Sequence, residues 1–379
     1  DSQARGEGVG GDIDIQTRDM TLLGSGSLNV AGFGSGNAGH IEITAEDVTI
    51  SGDGALILTA SGSGKGGKLT LESGSLTMSD NADITGNVSG DGHGDLLQFN
   101  TASLVLQDEA EIASNTRGAG AGGTIDITAT EFRIQDLAQI TAETLPSGGG
   151  DAGLVKIDAS SFVMAGGIIN TTTDSAGLGG TVDVVADTIS IGGGGAIESD
   201  SLGEGDGGAI ILSARNSFSL TNAFIEAEAK GSGAGGRIEI QAPDITLDQD
   251  SEINISALSG TGDAGEMTIT STNLTLNNNV IATETLTSGN AGHATLTADT
   301  ITSTNALIQG ETLGAGEGAD ITLVAEAISL SGTIINSSTE GRGVGGFISF
   351  SGESIVIEDG SAIETDALGE GNGGHIIMN

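Results

Sequence analysis

A glycine recurs along this chain every 26 to 30 residues, at Gly11, Gly39, Gly67, Gly94, Gly123, Gly153, Gly180, Gly208, Gly236, Gly265, Gly292, Gly318, Gly346 and Gly374. A period of this length, held over the whole sequence, restricts the chain to repeat architectures in which each unit stacks on its neighbours. Behind each glycine the sequence alternates, as in Gly-Thr-Ile-Asp-Ile-Thr-Ala at 123–129 and Gly-Arg-Ile-Glu-Ile-Gln-Ala at 236–242. Period two with one apolar face predicts a half-buried strand.

Two further strands are expected in each unit. The second places one inward residue at Met20, Val48, Leu76, Leu104, Phe132 and Phe162, and another at Leu22, Ile50, Met78, Leu106, Ile134 and Met164. Both columns continue to Ile355 and Ile357, and Ser303 alone is polar. The third carries an isoleucine ladder that begins Ile57, Ile84, Ile112, Ile140 and ends at Ile363. Three columns in phase predict three stacked parallel sheets. The expected fold is therefore all-β, a right-handed parallel β-helix (β-solenoid) of about 13 coils of roughly 28 residues, with three short strands per coil and no caps. At roughly 4.8 Å per coil it would make a rod of about 62 Å.

Composition agrees with a narrow stack. Glycine supplies 66 of 379 residues and proline 2, tyrosine and tryptophan are absent, and phenylalanine occurs 8 times, so small aliphatic side chains must build the core. Residues 1–379 read as a single continuous solenoid without separate domains. A longer six-coil super-repeat of 166 residues lies above the coil, since 195–212 and 361–378 agree at 12 of 18 positions. The glycine-rich turns, such as 35–39 and 202–208, are expected to need tight backbone, often with positive φ. No helix follows them and no Lys-Ser or Lys-Thr closes one, so they are not phosphate loops.

A net charge of −41 argues against nucleic acid and anionic membranes as partners and leaves cations as plausible ligands. No apolar run long enough for a membrane span occurs. Cysteine is absent, which fits an extracellular bacterial protein and a cytosolic one alike. The chain opens at Asp1 inside a glycine turn and closes at Asn379 after a first strand. The expectation is an excerpt of a longer chain, or self-association by copies stacking end to end.

Four sets of residues bear on possible chemistry. Outward acids on the first strand, Asp14, Glu42, Asp126, Asp183 and Glu239, with Lys156 between Asp126 and Asp183, could serve acid and base chemistry on polysaccharides. A solvated face with a charge-relieving lysine explains them more simply, and no residue is assigned a catalytic role. Acidic turns at Glu204, Asp206, Asp263, Glu317 and Glu370 offer oxygen ligands for weak Ca2+ binding, although the nine-residue calcium pattern is missing, and no other cofactor is expected. Outward threonines at Thr268, Thr270, Thr295 and Thr297 resemble the flat arrays of ice-binding solenoids, but neighbouring coils do not extend the array, and β-propensity is the better account of them. His40, His293 and His375 share a coil position at least three coils apart and form no site.

The repeats Gly-Gly-Thr-Ile-Asp-Ile-Thr-Ala from Gly122 and Ala-Gly-His-Ile-Glu-Ile-Thr-Ala from Ala38 resemble the repeat region of filamentous-haemagglutinin-like exoproteins of the two-partner secretion system. The resemblance implies a large right-handed β-helix exported to the bacterial cell surface and used as an adhesin, biofilm fibre or stalk. It also implies self-contacts and contacts with host or neighbour-cell surface glycans.

Overall fold

The computed structural model describes residues 1–146 and 149–379. The chain forms an all-β solenoid of about 13 coils with three strands per coil, and every strand pairs in parallel with its counterpart one coil away. By packing it divides into two compact units, one of residues 1–187 and 195–198, the other of residues 188–194 and 199–379.

In the first coil of the first unit the expected first and second strands are separate, Ile13–Gln16 and Asp19–Leu23; from the next coil they run on as one strand, as in His40–Ser51, Lys68–Ser79, Thr124–Gln135 and Leu154–Ala165. In the second unit they separate from Arg237–Gln241 and Asp244–Asp248 onward. Pro243, which has no N–H to donate, sits in the break between Arg237–Gln241 and Asp244–Asp248. Its carbonyl accepts two amides of the next coil, those of Thr272 and Asn273, each at 2.9 Å.

Third strands are short and stack in strict register: Asp83–Thr85 on Glu111–Ala113 in the first unit, Glu252–Asn254 on Val280–Ala282 in the second. The isoleucine ladder is buried as expected from Ile84 to Ile335, Ile363 in the last third strand is half-buried, and one correction falls at its start. Leu56, not Ile57, pairs with Ile84 and faces the core, while Ile57 lies opposite Thr85. Two adjacent apolar residues hid a one-residue shift, which inverts the face of a strand. Phe132 and Phe162 stack in neighbouring coils with centroids 5.4 Å apart and wholly buried rings.

A further column of single parallel bridges follows the third strand, through Ala60, Val88, Thr116, Thr144 and Thr173 in the first unit and Ser201, Ala229, Ala257, Thr285, Thr312 and Thr339 in the second. Its threonines are buried, and their hydroxyls donate to carbonyls of the glycine turn: Thr312 to Gly289 at 3.2 Å, Thr339 to Gly316 at 3.3 Å. Buried hydroxyls need such partners.

Glycine in those turns mostly serves close stacking, and the expected positive φ is found there, among the described residues, at Gly6, Gly34, Gly62 and Gly260. A Cβ on Gly36 would lie 1.8 Å from the Gly8 carbonyl oxygen, and neither Gly36 nor Gly39 has a left-handed φ. Left-handed residues other than glycine gather between the second and third strands, at Asp80, Asn81, Asp136, Leu137, Asn222 and Asn278, where Asn and Asp are tolerated best.

Candidate functional site

The glycine turns hold the acids singled out as metal ligands and give two of them a different task. Asp206 Oδ1 accepts the Ala234 amide at 2.8 Å, and Asp263 Oδ1 accepts the Asn290 amide at 2.7 Å. Asn290 Oδ1 in turn accepts the Glu317 amide at 2.9 Å. Each side chain thus caps a backbone donor of the following coil, as Asp151 does for Leu178 in the first unit. Glu204 and Glu317 are exposed, and Glu370 pairs with Arg342 at 3.2 Å. The structure does not draw these five acids into one cluster.

On the first strand the register sets Asp126 opposite Lys156, with Gln98 on its other side. Asp14 lies opposite Glu42, and Glu239 opposite Thr268. Thr268, Thr295 and Thr322 form one outward column, and Thr270 lies opposite Thr297 beside it. The histidines stay apart: His40 Nδ1 donates to the Lys68 carbonyl at 2.8 Å, His93 Nδ1 accepts the Ala121 amide, and His293 lies 3.4 Å from Asp320.

The most unusual electrostatics lie elsewhere, in a row formed by the residue two positions past each third strand. In the first unit the row runs Ala31, Thr59, Asn87, Asn115, Glu143, Thr172; in the second it runs Asp200, Glu228, Ser256, Glu284, Glu311, Ser338, Asp366. Their carbonyls align the coils, Glu228 O accepting from Ser201 N and Glu284 O from Ala257 N. The side chains point to the outer side yet are recessed. Asp200 is only 1% exposed and Glu228 4%. Many cap the next row residue: Asn87 Oδ1 accepts the Asn115 amide, Asn115 Oδ1 that of Glu143, Asp200 Oδ1 that of Glu228 and Ser256 Oγ that of Glu284.

Stacking carboxylates in a recess raises their proton affinity. Burial, then the charges of Asp174, Glu111 and Glu198, pushes Glu143 up to about 7. Burial, then Glu311, Glu252 and Glu228, does the same for Glu284. Glu228 is also raised to about 7, by burial and Asp200, with Lys230 opposing. Burial also raises Glu111, Glu311 and Asp83, which flank or belong to the same row.

At one place the second unit supplies its own cation. Carboxylate oxygens of Asp200, Glu226 and Glu228 lie within 4.8 Å of one another, a spacing that could hold a metal ion. Lys230 Nζ sits among them, 2.7 Å from Asp200, 3.4 Å from Glu228 and 4.0 Å from Glu226. Burial works against its charge, but the hydrogen bond and charge of Asp200, then Glu228 and Glu226, outweigh it and hold the ammonium protonated. The chemistry of this cluster is an internal ion-pair network.

In the first unit the same corner encloses a cavity of about 320 Å³ lined by Phe33, Thr59, Asn87, Asn115, Arg117 and Leu145, among others. Sequence reading missed the whole row, because its members vary and alternate with buried residues like any outward strand position. The one available signal was the recurrence of a polar residue, Asp, Asn, Ser, Thr or Glu, two residues past the third strands from Ala55–Ile57 onward. No family model, curated protein or solved structure matches this chain.

Proposed function

We propose that this chain is a structural and adhesive shaft of an extracellular bacterial surface filament or adhesin. The observation that carries the reading is repetition of the same interaction from coil to coil: acids and amides that could have formed a site, such as Asp206, Asp263 and Asn290, serve as caps between neighbouring coils. Such an arrangement spreads contacts over many equivalent positions and suits broad lateral adhesion to glycans. Two sequence features support it. The acidic balance of 52 carboxylates to 11 basic side chains keeps like molecules soluble and apart, and the repeats from Ala38 and Gly122 resemble those of filamentous-haemagglutinin-like exoproteins.

The test is retention on glycan-coated surfaces combined with an assay for glycan cleavage. The shaft reading predicts adhesion that single carboxylate substitutions barely change, and no cleavage. Cleavage of acidic or neutral glycans that disappears in Asp126→Ala or Asp183→Ala would overturn it in favour of a polysaccharide-active β-helix enzyme. Calcium titration and thermal hysteresis measurements test the remaining reading, a cation- or ice-binding solenoid.

A further inference from the structure

In the second unit the recessed row is bordered on both sides by exposed apolar side chains. Leu202, Leu286 and Leu313 stand two residues beyond row members, and Phe224 and Ile334 open third strands on the opposite side; each is between 37% and 47% exposed. Leu286 and Leu313 occupy adjacent coils, since the Leu313 amide donates to the Thr285 carbonyl. Isolated exposed leucines are ordinary, but a repeated border along an acidic recess is not.

Glu284 and Glu311 lie in this stretch, one coil apart. Glu311 Oε1 accepts a hydrogen bond from the Asn336 side-chain Nδ2, and among the described residues neither carboxylate has an ion-pair partner. Two coils before Glu284, at Glu228, the same row receives an alkylammonium, that of Lys230. The position two past Glu284 carries Leu286 instead of a lysine, so the stretch around Glu284 has the acids and the apolar border without the cation.

We propose that the row around Glu284 and Glu311 docks an extended, lysine-bearing segment of a partner protein, with an ammonium group set between Glu284 and Glu311 and apolar residues resting on Leu286 and Leu313. Charge complementarity selects this occupant. A second copy of the chain, with 11 basic residues against 52 acidic ones, meets the row with like charge. Spacing selects the extended form. A polyproline II segment advances about 9.3 Å per three-residue turn, close to about 9.6 Å for two coils, so lysines at every third residue fall two coils apart and one ammonium serves the adjacent pair Glu284 and Glu311. An α-helix, with a pitch of about 5.4 Å, drifts against a repeat of about 4.8 Å. This inference does not depend on the shaft reading.

The experiment titrates the whole chain into a fluorescent peptide of repeated Lys-Leu-Pro at low ionic strength and follows anisotropy. Saturable binding is expected, weakening as salt rises. Glu284→Gln with Glu311→Gln, and separately Leu286→Ser with Leu313→Ser, should each weaken it by about tenfold, a local loss of ~1.4 kcal/mol. Thermal melts establish that both variants remain folded, and Glu266→Gln with Asp320→Asn, on the first strand, should leave binding unchanged. Absence of saturation up to ~1 mM peptide overturns the proposal, as does an equal loss in the first-strand variant, which would reveal general acidity. Spermidine that competes fully, with the serine variant binding peptide normally, also overturns it in favour of a free polyamine.

Discussion

The hydroxyls of Ser303 and Thr333 lie 2.7 Å apart inside the core of the second unit, both essentially without solvent contact. Ser303 occupies a column whose neighbours are Leu276 and Leu330, and Thr333 reaches it from the corner before the next third strand. The polar interruption seen in the sequence is thus half of a pair. Thr333→Val keeps the shape and leaves Ser303 without this partner, which should cost about 1–2 kcal/mol. Ser303→Leu combined with Thr333→Ala should restore stability to the native level or above it. Urea denaturation of the two variants checks both outcomes.

Leu137 is a bulky residue held at φ 64° and 58% exposed. Asn81, Asn222 and Asn278 show that asparagine adopts such a conformation in the same turn of other coils. Leu137→Asn should stabilise the protein by roughly 0.5–1 kcal/mol through relief of left-handed strain. A higher melting temperature is the readout.

The raised carboxylates give stability a definite pH trend. Glu143 and Glu284 hold protons up to about 7 when folded, against an ordinary value of 4.5, so between these values the folded state binds more protons than the unfolded one. Stability therefore rises as pH falls from about 7 towards 4.5, and the full penalty is present above 7. Melting at pH 5 should exceed melting at pH 8, and Glu143→Gln with Glu284→Gln should shrink that difference. An unchanged difference would show that these two groups do not produce it.

Lys230 neutralises Asp200, which is almost fully buried. Lys230→Met keeps the apolar stem and removes the charge. Because the lysine is partly exposed, the expected loss is about 1–3 kcal/mol, less than for a fully buried pair. Asp200→Asn in the same chain preserves the cap on the Glu228 amide and should recover part of the loss, measured by urea midpoints at pH 7.5.

Strand columns were legible because Ile84, Ile112 and Ile140 recur with the coil and any slip would expose them. Ile57 was misplaced because Leu56 beside it is equally apolar. The Thr116 and Thr312 column was not legible, since a single bridge per coil produces no alternating run. Asp200, Glu228 and Glu284 escaped notice for another reason. Sequence alternation distinguishes inward from outward, but only the folded corner makes an outward side chain recessed. Asp206 and Asp263 were legible as oxygen donors, but not the backbone amides they cap, which lie one coil away.

Register between coils is tested most directly with paired cysteines, because the chain has none of its own. Thr268 pairs with Thr295 in the next coil and, through it, with Thr322 two coils away. At spacings of about 4.8 Å and about 9.6 Å, only the first pair lies within disulfide reach. Oxidation of Thr268→Cys with Thr295→Cys should give an intramolecular disulfide in the folded monomer, while Thr268→Cys with Thr322→Cys should stay reduced. Equal oxidation of the two pairs, or bonding only in the second, would contradict the stacked solenoid on which the recessed row and the proposed shaft both rest.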